Sequence, residues 1–293
     1  MRYVLENDIL HVEIDSFGAE LKSVKNKATG HEYMWQADPE YWGRTAPILF
    51  PFVGSLKNKR YTYNGKTYHM GQHGFARDME LTLVSKSETD IYFELRSSEE
   101  TLLNYPFDFA LGLGYQLNGS EIEVIWNVSN PSADKVLHFS IGAHPAFNCP
   151  IYGEENKAGY KVYFGGADEI HHYGHTDDGL SIEEDVILPL ENHRAIITPD
   201  FFKGPTYIMN GPQTNEIGIE DPEGKRIVSV LFDMPVVALW SPPDKEAPFI
   251  CIEPWFGRCD SVDFDGTLEE RAFNNTLDAG KTFHTSYLIR FGA

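Results

Sequence analysis

The sequence predicts an all-β fold, a large antiparallel β-sandwich whose two sheets bend around a cleft, and three observations predict it. The first is a dominant period of two. Leu10, Val12 and Ile14 alternate with His11 and Glu13, and residues 121–128 alternate likewise with one slip at Val124-Ile125. The second is the turn chemistry between such runs. Asn64-Gly65 joins Tyr61-Thr62-Tyr63 to Thr67-Tyr68, Asn118-Gly119-Ser120 joins two long strands, and Asp221-Pro222-Glu223-Gly224 makes a third hairpin. The third is the scarcity of helical periodicity: only 38–42 and 98–103 look like helix starts, each short and each opened by a capping residue.

Taken in order, the further strand-like segments fall at 79–85, 90–96, 109–118, 136–141, 226–232, 236–240 and 283–291. No repeat of fixed period, low-complexity tract or Pro/Ser-rich linker divides the 293 residues, so one continuous domain over 1–293 is expected. Hydrophobic residues make up 42% and aromatics 13%, which is enough apolar bulk for a sizeable core and excludes a disordered chain. Lys plus Arg number 24 against 44 Asp plus Glu, a formal net charge of -20. Such a surface repels phosphate backbones and anionic lipid, which argues against nucleic-acid or membrane partners and makes a neutral substrate the easier reading. The first eight residues carry charges where a signal peptide needs an apolar core, and no run approaches the ~18 apolar residues of a membrane span. With only Cys149, Cys251 and Cys259, an odd count without Cys-x-x-Cys spacing, free thiols in a cytoplasmic protein are expected.

Three punctuated segments carry chemistry. In Gln72-His73-Gly74-Phe75-Ala76-Arg77, glycines flank His73 and free the backbone to turn, and Arg77 follows four residues later; if the chain is extended there, both side chains lean over one cleft. Otherwise they are a surface His and Arg. In Gly142-Ala143-His144-Pro145-Ala146-Phe147, Gly142 ends an apolar run, Pro145 fixes the exit, and the imidazole is held at a strand end; a structural, hydrogen-bonded His is the alternative. In 248–257, apolar residues at strand spacing end in Glu253 at the strand mouth, with Trp255 beside it, before Pro254 and Gly257 stop regular pairing. A carboxylate so poorly solvated gains proton affinity, which suits a general base near neutral pH. Trp35, Trp42, Trp240 and Trp255 offer faces on which the C–H side of a sugar can pack, although tryptophans in a β domain are commonly core.

Together with Tyr41-Trp42-Gly43-Arg44-Thr45-Ala46-Pro47-Ile48-Leu49-Phe50-Pro51 and Cys251-Ile252-Glu253-Pro254-Trp255, these segments resemble the aldose 1-epimerase (galactose mutarotase-like) family, in particular its LacX-like branch. Their order and spacing extend over most of the chain. The resemblance implies a β-supersandwich and interconversion of the α and β anomers of a free hexose or related small sugar, without metal or organic cofactor. By the same resemblance Glu253 is the general base at the anomeric hydroxyl and His144 the general acid at the ring oxygen. His73 hydrogen-bonds the sugar and helps polarise it, and Arg44 and Arg77 line the cleft; Trp255 is expected to contact substrate on the strength of its aromatic face beside Glu253. The family commonly grips sugar hydroxyls with an Asp; Asp200 is offered here, in surroundings that do not match clearly.

The residue types suit that chemistry on their own account, because ring opening needs one proton to leave the C1 hydroxyl while another reaches the ring oxygen. A glycoside hydrolase normally needs a carboxylate pair, and Glu253 has no partner carboxylate in a comparable setting, since Asp260 and Asp263 read as loop residues. Two alternatives stay open: a hexose-6-phosphate 1-epimerase, with Arg44 and Arg77 receiving the phosphate, and a non-catalytic carbohydrate-binding or sensor protein. His171-His172-Tyr173-Gly174-His175 with Asp177 and Asp178 could ligate a metal, but Gly174 and Gly179 suggest a solvated loop instead. The oligomeric state is not legible.

Overall fold

A computed structural model describes residues 1–154 and 156–292. Its architecture is all-β and antiparallel, as expected: a nine-stranded and an eight-stranded sheet, a three-stranded sheet of the first 26 residues, and two small two-stranded ribbons. Alternation explains the nine-stranded sheet. In strand Glu121–Ser129, residues 122, 124, 126 and 128 are buried while the intervening ones are half-exposed. The slip at Val124-Ile125 is therefore no break in register, because Ile125 simply takes its turn on the outer face opposite Gly114. Strand Ala110–Asn118 lies on one side of it and Thr282–Phe291 on the other. Inward side chains of this sheet, such as Trp126, Leu113 and Ile289, share one core with Met209, Val237, Leu239, Ile250 and Ile252 of the eight-stranded sheet. That common core makes the two sheets a sandwich.

The predicted hairpins form. Asn64 and Gly65, both at positive φ (47° and 71°), turn Arg60–Tyr63 into Lys66–His69, as a type I′ turn demands. Among the described residues the one α-helix is Glu99–Asn104, capped by Ser98, whose side chain accepts from the Thr101 amide. At 38–42 the expected helix is a single turn closed by amides of Tyr41 and Trp42 on the Asp38 carbonyl. A strand, Glu169–His175, replaces the loop expected at 171–175, and it pairs with Ser181–Pro189 at the end of the eight-stranded sheet.

The centre of the eight-stranded sheet matters most. Strand Phe249–Phe256 pairs along one edge with Val236–Trp240, putting Ala238 opposite Glu253. Along its other edge two short strands share the work: Ala146–Asn148 pairs with residues 249–251, and Ile141–Ala143 with 255–256. His144 and Pro145 fill the gap between them, where the Pro145 carbonyl accepts from the Ile252 amide. Pro254, two residues on, aims its nitrogen into the same gap, where no ladder partner is required of it.

Candidate active site

Glu253 is thus not at a strand mouth. It is the fifth residue of an eight-residue central strand, which runs on through Pro254 because the neighbouring strand is interrupted there. The interruption is what delivers His144. Gly142 does not end its strand either; it lies within Ile141–Ala143, and a Cβ there would come within 2.5 Å of the Trp255 ring. The glycine makes room for the indole, whose Nε1 donates to the Ala143 carbonyl at 3.1 Å and so fixes the chain just before His144.

The two groups meet directly. His144 Nε2 lies 3.2 Å from Glu253 Oε2, with both residues buried. Burial pushes the Glu253 carboxyl well above its ordinary 4.5 and pulls the His144 imidazole down. Each shift disfavours a charge, so the pair holds one proton between its two facing atoms and is neutral overall. Trp42 stacks on the His144 ring (centroids 4.7 Å apart, 26° between planes) and Trp240 meets it edge-on at 5.5 Å.

His73 lies near the pair as well, its ring edge-on to that of His144 with centroids 5.7 Å apart. Its backbone sits at φ 66°, its amide donates to the Gly54 carbonyl, and its Nδ1 accepts from the Gly54 amide at 3.1 Å. Acceptance at Nδ1 fixes the tautomer, leaving Nε2–H as a donor. Gly74 permits this turn: it too has positive φ, 71°, and a Cβ would meet the Phe50 carbonyl oxygen at 2.3 Å. Residues 76–78 form a short 3-10 turn rather than an extended segment, and this turn brings Arg77 over the site.

Glu253, His144, His73, Arg77 and Trp255 all line one cavity of about 290 Å³, together with Trp42, Trp240, Thr206 and the 175–179 turn. That volume sits at the small end of the ~300–1,000 Å³ typical of ligand sites, room for one monosaccharide. Arg44 is not among the lining residues; its Nη2 is committed to Asp78 Oδ1 at 2.7 Å. Arg77 donates to the Gln72 carbonyl at 2.7 Å. Asp200 is exposed, paired with Lys203 at 2.7 Å, and away from the cavity. The carboxylates that do reach the cavity, besides Glu253, are Asp177 and Asp178 on its rim. Their turn follows His175, whose Nδ1 lies 2.7 Å from the Thr176 carbonyl and whose Nε2 lies 2.6 Å from Thr206 Oγ1. Both aspartates were visible in the sequence beside a histidine cluster; what concealed them was reading strand 169–175 as a loop. Thr206 carried no sequence signal at all.

The histidine cluster itself disperses. His171 is held outside by Asp185 and Glu169, His172 packs on Tyr207, and His175 turns to Thr206. Metal-competent donors converge elsewhere: one atom each from His144, Cys251 and Glu253 lie within 4.8 Å of one another. Asp260 is likewise no free loop residue, since it is buried against Arg271 at 2.7 Å. A second cavity, of about 420 Å³, is lined by Lys157, Phe202 and the 242–248 segment and brings no imidazole to a carboxylate.

Known proteins resemble this chain over most of its length. The family model described as aldose 1-epimerase matches residues 1–281. The plasmid-borne Protein LacX of Lactococcus lactis subsp. lactis is 34% identical over 279 residues, covering 92% of this chain and 93% of that protein. Among solved structures, a galactose mutarotase related enzyme from Lactobacillus acidophilus superposes with a TM-score of 0.93 at 36% identity, over 100% of this chain and 98% of its own. A galactose mutarotase-like protein from Lactobacillus casei gives 0.91 at 29% identity, over 99% of both chains.

Proposed function

As the chain belongs to the aldose 1-epimerase family, we propose that it interconverts the α and β anomers of a free hexose or a related small neutral sugar by acid–base ring opening. The observation that carries this reading is the buried contact, 3.2 Å, between His144 Nε2 and Glu253 Oε2 on the wall of a monosaccharide-sized cavity. The anomeric hydroxyl and the ring oxygen are both bonded to C1, so an acid and a base that touch each other can each address one of them. In the neutral pair the proton resides on the carboxyl or on the imidazole without any change in proton count. With it on the imidazole, Glu253 accepts the O1 proton while His144 donates to the ring oxygen. The C1–O5 bond breaks as C1=O1 forms, C1–C2 rotates, and the transfers reverse on closure.

His73 Nε2–H supports the sugar from the cavity wall, and Trp42 lends its π-face to the imidazolium form of His144. Asp177 and Asp178 at the rim suit the distal hydroxyls, to which carboxylates are acceptors. The rim also disfavours the hexose-6-phosphate reading, because a phosphate would meet two carboxylates there while Arg44 is engaged with Asp78. Among the described residues Arg77 is the one lysine or arginine in the cavity wall, so the two substrate classes are to be compared side by side.

Polarimetry or exchange NMR on freshly dissolved α-anomers of a sugar panel tests the proposal, each sugar alongside its 6-phosphate. Wild type should accelerate equilibration of a free hexose, and Glu253→Gln should lose about 10²-fold or more, the worth of one proton transfer. A variant as fast as wild type would remove Glu253 from the mechanism.

A further inference from the structure

We infer that His144 Nε2 and a Glu253 carboxylate oxygen, both in the wall of this cavity, form with Cys251 Sγ, buried just beneath that wall, a binding site for one zinc-like divalent cation, and that its occupation switches the enzyme off. The inhibitory consequence rests on the epimerase reading above; the binding does not. Cys251 and Glu253 are two residues apart on one strand and so present their side chains to the same face. His144 reaches that face through the gap in the neighbouring strand.

Their donor atoms lie within 4.8 Å of one another, and two of them are already 3.2 Å apart. Tetrahedral zinc, with bonds of about 2.0–2.3 Å, sets its ligands about 3.4–3.6 Å apart, so the sulfur need approach by only about 1 Å. A thiolate, an imidazole and a carboxylate together select zinc or cobalt over magnesium or calcium, which favour oxygen ligands throughout. The charges also close. A dication with one thiolate and one carboxylate is neutral, the condition a buried site imposes.

Binding releases two protons to solvent, one from the Cys251 thiol and one from the His144–Glu253 pair. The fourth coordination position faces the cavity and is filled by water or a sugar oxygen. Once the ion is in place, the lone pairs that accept and relay protons are bonded to metal, and ring opening stops. Cys251 has no part in the acid–base chemistry itself: it is fully buried and packs with Phe249, Ala146 and Trp35.

Cobalt and zinc titrations of chelator-treated protein decide the matter. We expect one equivalent of Co²⁺ to bind with a near-ultraviolet thiolate-to-cobalt charge-transfer band and Zn²⁺ to displace it. Anomer interconversion should fall with Zn²⁺ occupancy and return on adding chelator. Cys251→Ser should lose the band and bind Zn²⁺ more weakly by at least the roughly 10–100-fold that loss of an outer-shell partner costs. Thermal unfolding verifies that this variant folds, with Cys251→Ala as the second test if it does not. A cobalt spectrum without the thiolate band, or equal Zn²⁺ affinity in wild type and the Cys251 variants, would overturn the proposal and place the ion elsewhere. If instead the band appears but chelated wild type equilibrates no sugar, the metal site stands and the epimerase reading falls.

Discussion

Glu253 is held where a carboxylate does not want to be charged. It is 2% exposed in the middle of a central strand, and burial is the cause of its raised proton affinity. The linkage has a definite sign. With its folded pKa above the unfolded 4.5, the folded protein binds the extra proton throughout the window between those values. Stability from this group is complete below pH 4.5 and drains away as pH rises through the folded pKa. Glu253→Gln cannot ionise, so its stability relative to wild type should improve with rising pH, by up to about 1.4 kcal/mol per pH unit inside the window. Urea unfolding of both proteins at pH 4.5 and pH 7 reads this directly, and a difference that does not change with pH would mean the charge is not being resisted. Trp42 acts on the partner group. A desolvated cation–π contact is worth about 1–2 kcal/mol, so Trp42→Ala should lower the interconversion rate about 10-fold, while Trp42→Phe keeps most of it. Equal rates in Trp42→Ala and wild type would leave the stacking without a role.

Among the elements, the turn after strand Glu169–His175 has the clearest functional consequence. The turn is ordered: the Gly179 amide donates to the Thr176 carbonyl, the Thr176 amide to the Leu180 carbonyl, and the Ser181 amide ties the exit to the Asp260 carbonyl. Asp177 and Asp178 are therefore presented rigidly at the cavity rim. Replacing both with Asn keeps the shape and removes the charge, and should raise KM for a free hexose about 10-fold, the scale of one charge-assisted hydrogen bond, with kcat within about two-fold. Steady-state kinetics on the double variant measures it, and an unchanged KM would show that the rim does not read the sugar. This element is also where the sequence misled most. Strands that bury one face wrote a clear period, as in 10–15 and 121–129, whereas Ser181–Pro189 exposes nearly all of its side chains and shows no such alternation. Ile48–Leu49 and Ala146–Asn148 are too short to show a period and exist only because distant strands pair with them. The site residues on strong local punctuation, His73, His144 and Glu253, were legible, but their meeting depends on the interrupted strand beside Pro254, a long-range arrangement with no local signature. Arg44 was legible as a motif residue, but its pairing with Asp78, which holds it outside the cavity lining, is a tertiary contact that no local signal announces.

At the scale of the whole molecule, the net charge of -20 offers a test of the proposed preference for a neutral sugar. A neutral aldose feels no long-range field, so its encounter with the cavity is set by diffusion and fit alone. A sugar phosphate approaching the same opening meets a like-charged surface whose reach is the Debye length, about 30 Å at 0.01 M salt and about 3 Å at 1 M. The two substrate classes therefore separate on a simple variable. For a free hexose, kcat/KM should stay constant within about two-fold from ~0.01 to ~0.5 M sodium chloride. For a 6-phosphate it should start low and climb several-fold as salt screens the repulsion. Stopped-flow polarimetry or saturation-transfer NMR across that range gives both curves. A hexose phosphate that reacts faster than its parent sugar at low salt, and slows as salt is added, would reveal that Arg77 outweighs the global field and that the cavity is built for an anion.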